Sequence, residues 1–266
     1  MTTFPTTSMK IALVGAGNLA THLALSLVKA GHHVVGICSK TGETARSLSL
    51  RIEQESMATS RLDELPKADV YLIATKDDVI STIAEDWPGN LSEGLIVHTS
   101  GSVDINVLAP AGIPYGVLYP LQTFSKERDV DFKKIPCFVE GSTTEDTMKL
   151  MELARSVSNK VHILSSEHRR LLHLSAVFAC NFVNHLYDIA EQQLKQNGFP
   201  TEWLQPLIEE TAAKIKTVSA REAQTGPAIR KDQRVIECHS AILAQKPQHL
   251  LIYNILTESI YQTFHQ

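Results

Sequence analysis

Residues 10–20 read KIALVGAGNLA, an apolar run followed by a glycine-rich turn. The run at residues 10–14 is typical of a buried strand, and residues 18–30 have the pattern of a helix that ends before a glycine. A second apolar run at residues 33–38 indicates another strand. Strand, helix and strand in this order make one βαβ unit, which predicts a parallel sheet covered by helices.

The turn within this unit has the spacing of a dinucleotide-binding loop. Gly15, Gly17 and Ala20 fit the pattern G-x-G-x-x-[GA]. The first glycine permits a tight turn, and the second lets a pyrophosphate approach the backbone at the helix N-terminus. We therefore expect Gly15, Gly17, Asn18 and Leu19 to hold the pyrophosphate. The alternative is a strand-to-helix turn that binds no ligand.

The alternation of strands and helices continues to about residue 164 and then stops. Further strands are expected at residues 70–74, 94–98, 115–118, 137–140 and 160–164, and helices are expected to begin near Asp77 and Thr143. Long helical patterns follow and are broken at residues 197–200, 224–227 and 246–247. The sequence thus predicts a doubly wound, mainly parallel Rossmann domain over residues 9–164 and an all-helical domain over residues 165–266.

The end of the second strand predicts which dinucleotide binds. NAD-binding proteins usually place an acidic residue there for the ribose hydroxyls, whereas this chain has Cys38, Ser39 and Lys40. Ser39 and Lys40 offer a hydroxyl and an ammonium group to a 2′-phosphate, so NADP is favoured over NAD. In the alternative interpretation, these two residues begin a solvated loop.

The strand at residues 70–74 ends at the sheet edge where open α/β sheets bind ligands. Ala74 and Thr75 stand at that end, and their backbone is expected to line the adenosine side of the groove. Asp77 or Asp78 is expected to cap the next helix.

The segment HTSGS at residues 98–102 follows another predicted strand, where polar groups are expected to face the nicotinamide end of the cofactor. Thr99 and Gly101 are assigned to the cofactor, and His98 and Ser100 to the substrate. A turn in which Ser102 caps the following helix is an equally good interpretation, and the two are compatible.

The segment YPLQTF at residues 119–124 is irregular and partly aromatic, and it follows the next predicted strand. It is expected to close over the same pocket as the HTSGS segment. A loop held in place by Pro120 is an equally good interpretation.

Polar residues interrupt the largely apolar helix predicted over residues 167–187. His173, Val177 and Asn181 follow one another at a spacing of four, which places the histidine and the asparagine on one helix face. Polar groups on a buried face need partners, and these are either core hydrogen bonds or a ligand. We expect His173 to be a proton donor or substrate anchor and Asn181 to orient it.

Arg230 lies in the segment TGPAIRKD, residues 225–232, which begins with a helix break. Its guanidinium is suited to clamping a carboxylate or phosphate of the substrate, with Asp232 orienting it. The alternative is a surface turn that carries an ion pair.

Composition argues against several classes of protein. The formal charge of −4 and the lack of a dense Lys/Arg run disfavour nucleic-acid binding, and 43% hydrophobic residues suffice for a packed core. The four cysteines form no C-x-x-C pair, so no metal site is predicted and free thiols are expected. With neither a targeting signal nor a membrane-spanning run in the sequence, we expect a cytoplasmic protein.

In five ordered motifs the chain resembles Rossmann-like NADP-binding proteins that carry a C-terminal helical domain of unknown function. The motifs are GAGNLA, HTSGS, YPLQTF, HLSAVFACNFVNHL and TGPAIRKD, and they span nearly the whole chain. These proteins are similar to the 6-phosphogluconate dehydrogenase-like superfamily, near pyrroline-5-carboxylate reductases and deazaflavin-dependent NADP oxidoreductases. The resemblance implies an NADP domain, a helical substrate domain that forms a homodimer, and a site in the cleft between them.

The chain departs from the pattern of these relatives at two places. Lys76 stands where relatives commonly have proline. β-Hydroxyacid dehydrogenases carry a catalytic lysine on the helix that corresponds to residues 167–187, but no lysine follows Arg170 there. By position, His173 is the available proton donor.

These features predict an NADP-dependent oxidoreductase that transfers a hydride to or from a small carbonyl, imine or hydroxy compound. His173, Asn181, Arg230, His98 and Ser100 are its expected catalytic and substrate-binding residues. The alternative is a dimeric NADP-binding sensor or regulatory protein without catalysis, since a fold alone does not establish activity. A purely structural helical dimer is disfavoured because the phosphate loop is intact.

Overall fold

A computed structural model describes residues 7–265 of the chain. Eight strands form one sheet: β1 Lys10–Val14, β2 His33–Cys38, β3 Met57–Thr59, β4 Val70–Ile73, β5 Leu95–His98, β6 Tyr115–Pro120, β7 Pro136–Gly141 and β8 Lys160–Ile163. All were expected from the sequence except β3, whose three residues are too few to show an alternating pattern.

The strand order is β3-β2-β1-β4-β5-β6-β7-β8, and every pair is parallel except β6 and β7. The first six strands have the order of a doubly wound Rossmann sheet, which confirms the predicted fold class. The chain winds outward from β1 to β3 and then returns to place β4 on the other side of β1. The carboxyl ends of β1 and β4 therefore border the crevice where such sheets bind ligands.

An apolar layer covers each face of the sheet, and successive side chains of β1 point alternately into the two layers. Ile11 and Leu13 belong to one core cluster, whereas Ala12 and Val14 belong to the other. The helices of this part are α1 Asn18–Lys29, α2 Glu43–Arg51, α3 Ile80–Glu85 and α4 Thr144–Val157. A strand buried on both faces reads as a continuous apolar run, as seen at residues 10–14.

Helix α4 begins where the sequence predicts. The Thr143 hydroxyl accepts a hydrogen bond from the Asp146 amide, and the Asp146 carboxylate accepts one from the Thr143 amide. This reciprocal capping box satisfies two amides that the helix itself cannot pair, and it defines the start of α4.

The remaining helices are α5 Ser166–Ala176, α6 Val183–Gln196, α7 Gln205–Lys214, α8 Ala220–Ala223, α9 Pro227–Arg230, α10 Gln233–Ile242 and α11 Pro247–His265. A π-helical segment, Val177–Phe182, separates α5 from α6. The chain divides into two compact units after Asn181, so α5 belongs with the sheet, later than the expected boundary at residue 164. The roles assigned to the two domains stay predictions.

In the part of the chain that the structure describes, no helix has the length and apolarity needed to cross a bilayer.

Candidate functional site

The loop after β1 has the geometry of a phosphate-binding turn. Gly15 has φ of +109°, and a Cβ at this position would clash with the carbonyl oxygen of Ala74 at the end of β4. Around Gly17, by contrast, a Cβ would meet no atom of residues 7–265 within 4 Å. The first turn of α1 therefore opens onto free space, and its unpaired amides suit an anion there.

Asn18 has a contact that the sequence did not predict. Its side-chain amide donates a hydrogen bond of 2.9 Å to the carbonyl oxygen of Phe124. The side chain therefore anchors the YPLQTF segment, while the backbone amide at the start of α1 remains in the position expected for a pyrophosphate ligand.

A cavity of about 780 Å³ extends from this loop along the ends of β1, β2 and β4. Its lining includes Lys40, Lys76 and Lys126, and among its described lining residues there is no aspartate or glutamate. Three ammonium groups without a carboxylate favour an anionic ligand. The open space at Gly17 and this charge both fit a dinucleotide that carries several phosphates.

Ser39 and Lys40, the predicted 2′-phosphate ligands, both line this cavity. Ser39 is buried, and its hydroxyl oxygen accepts hydrogen bonds from the Ala45 amide at 3.0 Å and the Thr44 hydroxyl at 2.8 Å. Ser39 thus secures the start of α2. Lys40 is exposed, so its side chain is more available to a ligand than the Ser39 hydroxyl. Thr44 and Ser60 also line the cavity, but no local sequence signal distinguishes them.

Ala74 and Thr75 line the cavity, and their expected place on the adenosine side of the groove stays a prediction. The prediction that Asp77 or Asp78 caps the next helix was wrong, because neither side chain makes a capping hydrogen bond at the turn that begins there. Asp77 instead accepts a short hydrogen bond from the Ser102 hydroxyl, which joins the loops that follow β4 and β5.

His98 is fully buried, so the structure disagrees with the expectation that it approaches the nicotinamide. Its Nδ1 accepts a hydrogen bond of 3.2 Å from the Ser100 amide. Burial and, to a smaller extent, the charge of Arg169 lower the pKa of His98 to about 4, against smaller opposing contributions from Asp104 and Asp77. The imidazole is therefore neutral at physiological pH and holds the turn after β5.

The polar side chains of this turn are also engaged internally. The Ser100 hydroxyl oxygen accepts hydrogen bonds from the amides of Ser102 and Val103, each at 3.1 Å. The Thr99 hydroxyl donates one of 3.1 Å to the carbonyl of Ile73. Both lone pairs of the Ser100 hydroxyl oxygen are thus in use, which does not support the substrate-binding role expected for this residue. Nor does Ser102 cap the following helical turn, which is capped by Asp104.

Gly101 lies against the two aromatic side chains that the site brings together. A Cβ at Gly101 would come within 2.6 Å of His173 Nδ1 and 2.8 Å of Tyr119 Cζ. Tyr119 Oη and His173 Nδ1 form a hydrogen bond of 3.1 Å, and their rings meet edge to face. The glycine therefore permits the close approach of α5 to the end of β5, where the pair lies.

Tyr119 is buried and His173 is half-buried. Burial raises the pKa of the Tyr119 phenol, although the positive charge of Arg169 opposes this. The phenol therefore keeps its proton at neutral pH. The sequence singled out His173 and the segment that contains Tyr119, but it did not reveal that their side chains touch.

Arg169, a residue that the sequence did not single out, fixes α5 to the sheet. It is fully buried, and its guanidinium donates hydrogen bonds to the Glu140 carboxylate at 2.6 Å and to the Val103 carbonyl at 2.5 Å. The Ser166 hydroxyl donates to the same carboxylate at 2.7 Å. Because His173 lies one helical turn after Arg169, this network positions the histidine.

Asn181 is not the hydrogen-bond partner of His173, contrary to the prediction. The equal spacing assumed an α-helix throughout, but Val177–Phe182 is π-helical, which changes the angle between successive side chains. Asn181 is exposed, and Tyr119 takes the place expected for it as the partner of His173.

Arg230 is exposed at the end of α9 in the helical unit. Asp232 does not orient it as expected. Its carboxylate caps α10 by accepting a hydrogen bond of 3.3 Å from the Val235 amide. The alternative of a surface ion pair is not seen for Arg230 within residues 7–265 either.

Two family models match the chain. Residues 10–101 match the model described as NADP oxidoreductase coenzyme F420-dependent, and residues 135–260 match a domain of unknown function, DUF2520. No curated protein matches the chain.

Several solved structures are similar over nearly the whole chain. A Bacteroides fragilis protein titled "putative NADP oxidoreductase" is 44% identical, with a TM-score of 0.90 over 96% of this chain and 98% of that one. A Thermotoga maritima protein is 21% identical, with a TM-score of 0.79 over 96% and 100%. A reductive aminase from Aspergillus terreus, in complex with NADPH and ethyl-5-oxohexanoate, is 14% identical, with a TM-score of 0.73 over 97% and 95%. For the Thermotoga maritima and Aspergillus terreus proteins, the likeness shows a shared fold.

Proposed function

This chain belongs to the family of Rossmann NADP-binding proteins that includes the Bacteroides fragilis protein, and from that premise we propose that it is an NADP-dependent reductase of a small carbonyl or imine compound. Bound NADPH supplies the hydride for such a reaction. The observation that carries the proposal is the hydrogen-bonded pair of Tyr119 and His173 at the sheet edge that also carries the dinucleotide cavity.

NADP is the coenzyme, as predicted from the end of β2. Gly15 and Gly17 admit its pyrophosphate to the first turn of α1, and Lys40 takes the 2′-phosphate. No carboxylate among the described lining residues of the cavity repels that phosphate. The ends of β5 and β6, where Tyr119 lies, border the same sheet edge as the switch point between β1 and β4, and residues there would approach the nicotinamide half of the coenzyme.

The Tyr119–His173 pair supports the proton transfer that accompanies reduction. A carbonyl or imine that receives a hydride at carbon needs a proton at oxygen or nitrogen. In the imidazolium form, His173 donates its Nδ1 proton in a hydrogen bond to Tyr119 Oη, and Nε2–H is left for the substrate. Loss of the Nε2 proton leaves a neutral ring in the same orientation. Tyr119 thus positions His173, which is the proton donor.

The test begins with a screen for NADPH oxidation across imines, keto acids and aldehydes. With an active substrate, His173→Ala is expected to lower kcat by about 10²-fold to 10⁴-fold, the usual contribution of a general acid, without changing NADPH affinity. Tyr119→Phe keeps the ring but removes the hydroxyl, so it should lower kcat less. His168→Ala, on the same helix, is the matched control and should leave kcat unchanged.

Two results would contradict the proposal. Full turnover by His173→Ala would remove the histidine from the chemistry. A screen without any activity, combined with tight NADP binding and a ligand-dependent change of shape, would favour the alternative of an NADP-binding sensor.

The helical unit supports a second part of the proposal, a homodimer formed through this unit. Among apolar side chains of residues 182–265, Ala228 alone is buried. Large exposed apolar side chains include Phe199, Trp203, Leu207, Ile242, Leu251 and Ile255. A second copy of the unit would cover such surface. Sedimentation equilibrium should give twice the chain mass, and a monomer at micromolar concentration would contradict this part.

A further inference from the structure

Residues 121–131, between β6 and β7, cross the first turns of α1. The Asn18 side chain donates its hydrogen bond to the Phe124 carbonyl, and His22 Nε2 donates one of 2.8 Å to the Ser125 carbonyl. The rings of His22 and Phe124 also lie in contact, with centroids 5.5 Å apart. Two side chains of the phosphate-binding helix therefore hold consecutive carbonyls of this segment.

The segment is also anchored from its other end. The Phe124 ring stacks on Phe132, with centroids 6.0 Å apart, and Phe132 is buried in the core under α1. His22 is itself buried. Because both anchors lie in packed structure, the backbone at residues 124–125 is held close to the helix N-terminus.

Lys126 follows directly after these two held residues and lines the dinucleotide cavity. It is half-buried, whereas Ser125, Glu127, Arg128 and Asp129 around it are exposed. Within the described chain, its ammonium makes neither an ion pair nor a hydrogen bond. An ammonium group that lines the cavity and has no partner is available to bind an anion there.

We propose that Lys126 is a ligand of the coenzyme pyrophosphate, held in place by Asn18 and His22 through the backbone at residues 124–125. The inference rests on the proposed binding of NADP. The pyrophosphate is the relevant group because the segment crosses the N-terminal turn of α1, whereas the 2′-phosphate belongs at the end of β2 with Lys40. Consecutive Cα atoms are only about 3.8 Å apart, so the Cα atom of Lys126 lies close to that turn.

The two lysines can be distinguished because NAD has the pyrophosphate but lacks the 2′-phosphate. Calorimetric titration with NADP⁺ and with NAD⁺ is compared for the wild type, Lys126→Gln and Lys40→Gln. Lys126→Gln should weaken both coenzymes by about tenfold, the effect of one charged hydrogen bond. Lys40→Gln should weaken NADP⁺ alone by a similar factor. Arg128→Gln removes the same charge from the same segment outside the cavity, and it should change neither affinity.

Hydrogen exchange gives a second readout that does not depend on turnover. Both coenzymes should slow exchange of the amides at residues 124–128 in the wild type, and much less so in Lys126→Gln. Unchanged affinities in Lys126→Gln, in a protein that binds NADP⁺, would overturn this inference and leave the proposed function intact. If Lys126→Gln weakens binding of NADP⁺ but not of NAD⁺, Lys126 contacts the 2′-phosphate, and the inference is likewise overturned. A wild type that binds neither coenzyme would instead refute the proposed function.

Discussion

The buried imidazole of His98 makes the stability of this protein depend on pH. Burial lowers its pKa from 6.5 to about 4 in the folded chain, whereas the unfolded chain restores the ordinary value. Above the unfolded pKa the imidazole is neutral in both states, and its contribution is fully present. As the pH falls below 6.5, the unfolded state binds a proton that the folded state excludes, so stability is lost until the pH reaches the folded pKa.

The size of this loss follows from the two pKa values. They differ by about 2.5 units, from 6.5 to about 4, and each unit corresponds to about 1.4 kcal/mol. The complete loss of unfolding free energy from His98 is therefore about 3 kcal/mol, and about 2 kcal/mol is already lost at about pH 5. The pKa of buried His32 is also lowered by desolvation, so it adds a loss of the same sign.

His98→Asn isolates the contribution of one imidazole. The asparagine oxygen is able to accept the Ser100 amide hydrogen bond, but the side chain does not titrate. Urea unfolding at fixed protein concentration gives the free energy of unfolding for both proteins at about pH 7.5 and about pH 5. The wild type should lose about 2 kcal/mol more than the variant. If both lose the same amount, His98 does not carry the lowered pKa on which this prediction depends.

Two further predictions concern the elements that position the site. Gly101→Ala should lower kcat by about 10²-fold, because the methyl group would displace His173 by up to about 1 Å. Steady-state kinetics measure this, and normal turnover would contradict it. Arg169→Met should lower the urea unfolding free energy by about 3 kcal/mol, because it leaves the Glu140 carboxylate without its partner. The double variant with Glu140→Met should regain part of that loss, and a double variant less stable than Arg169→Met would speak against the buried pair.

The dinucleotide half of the molecule could be predicted from local sequence because its signals are local. Gly15 is required by the positive φ of its own turn, and the apolar run at residues 10–14 reports burial on both faces of a parallel strand. Such features constrain neighbouring residues, so one stretch of chain reveals them. The same holds for the helix breaks of the C-terminal region.

The proposed catalytic site could be predicted only in part. His173 was singled out from its helix, but its partner Tyr119 lies 54 residues earlier in the chain. Asn181 was misplaced because a π-helical segment leaves no clear pattern in sequence. His98 was misassigned because a histidine at a strand end reads the same whether its side chain faces the ligand or the core.

Seven of the eight strands, the phosphate loop and the preference for a 2′-phosphate could be predicted from the sequence alone, since each depends on short-range pattern or on residue type at one position. Which polar groups meet could be seen only in the folded chain. The ion pair of Arg169 with Glu140 and the approach of Lys126 to the cavity join parts of the chain that are far apart in sequence. Such contacts depend on how strands and loops pack, and local periodicity carries no record of that packing.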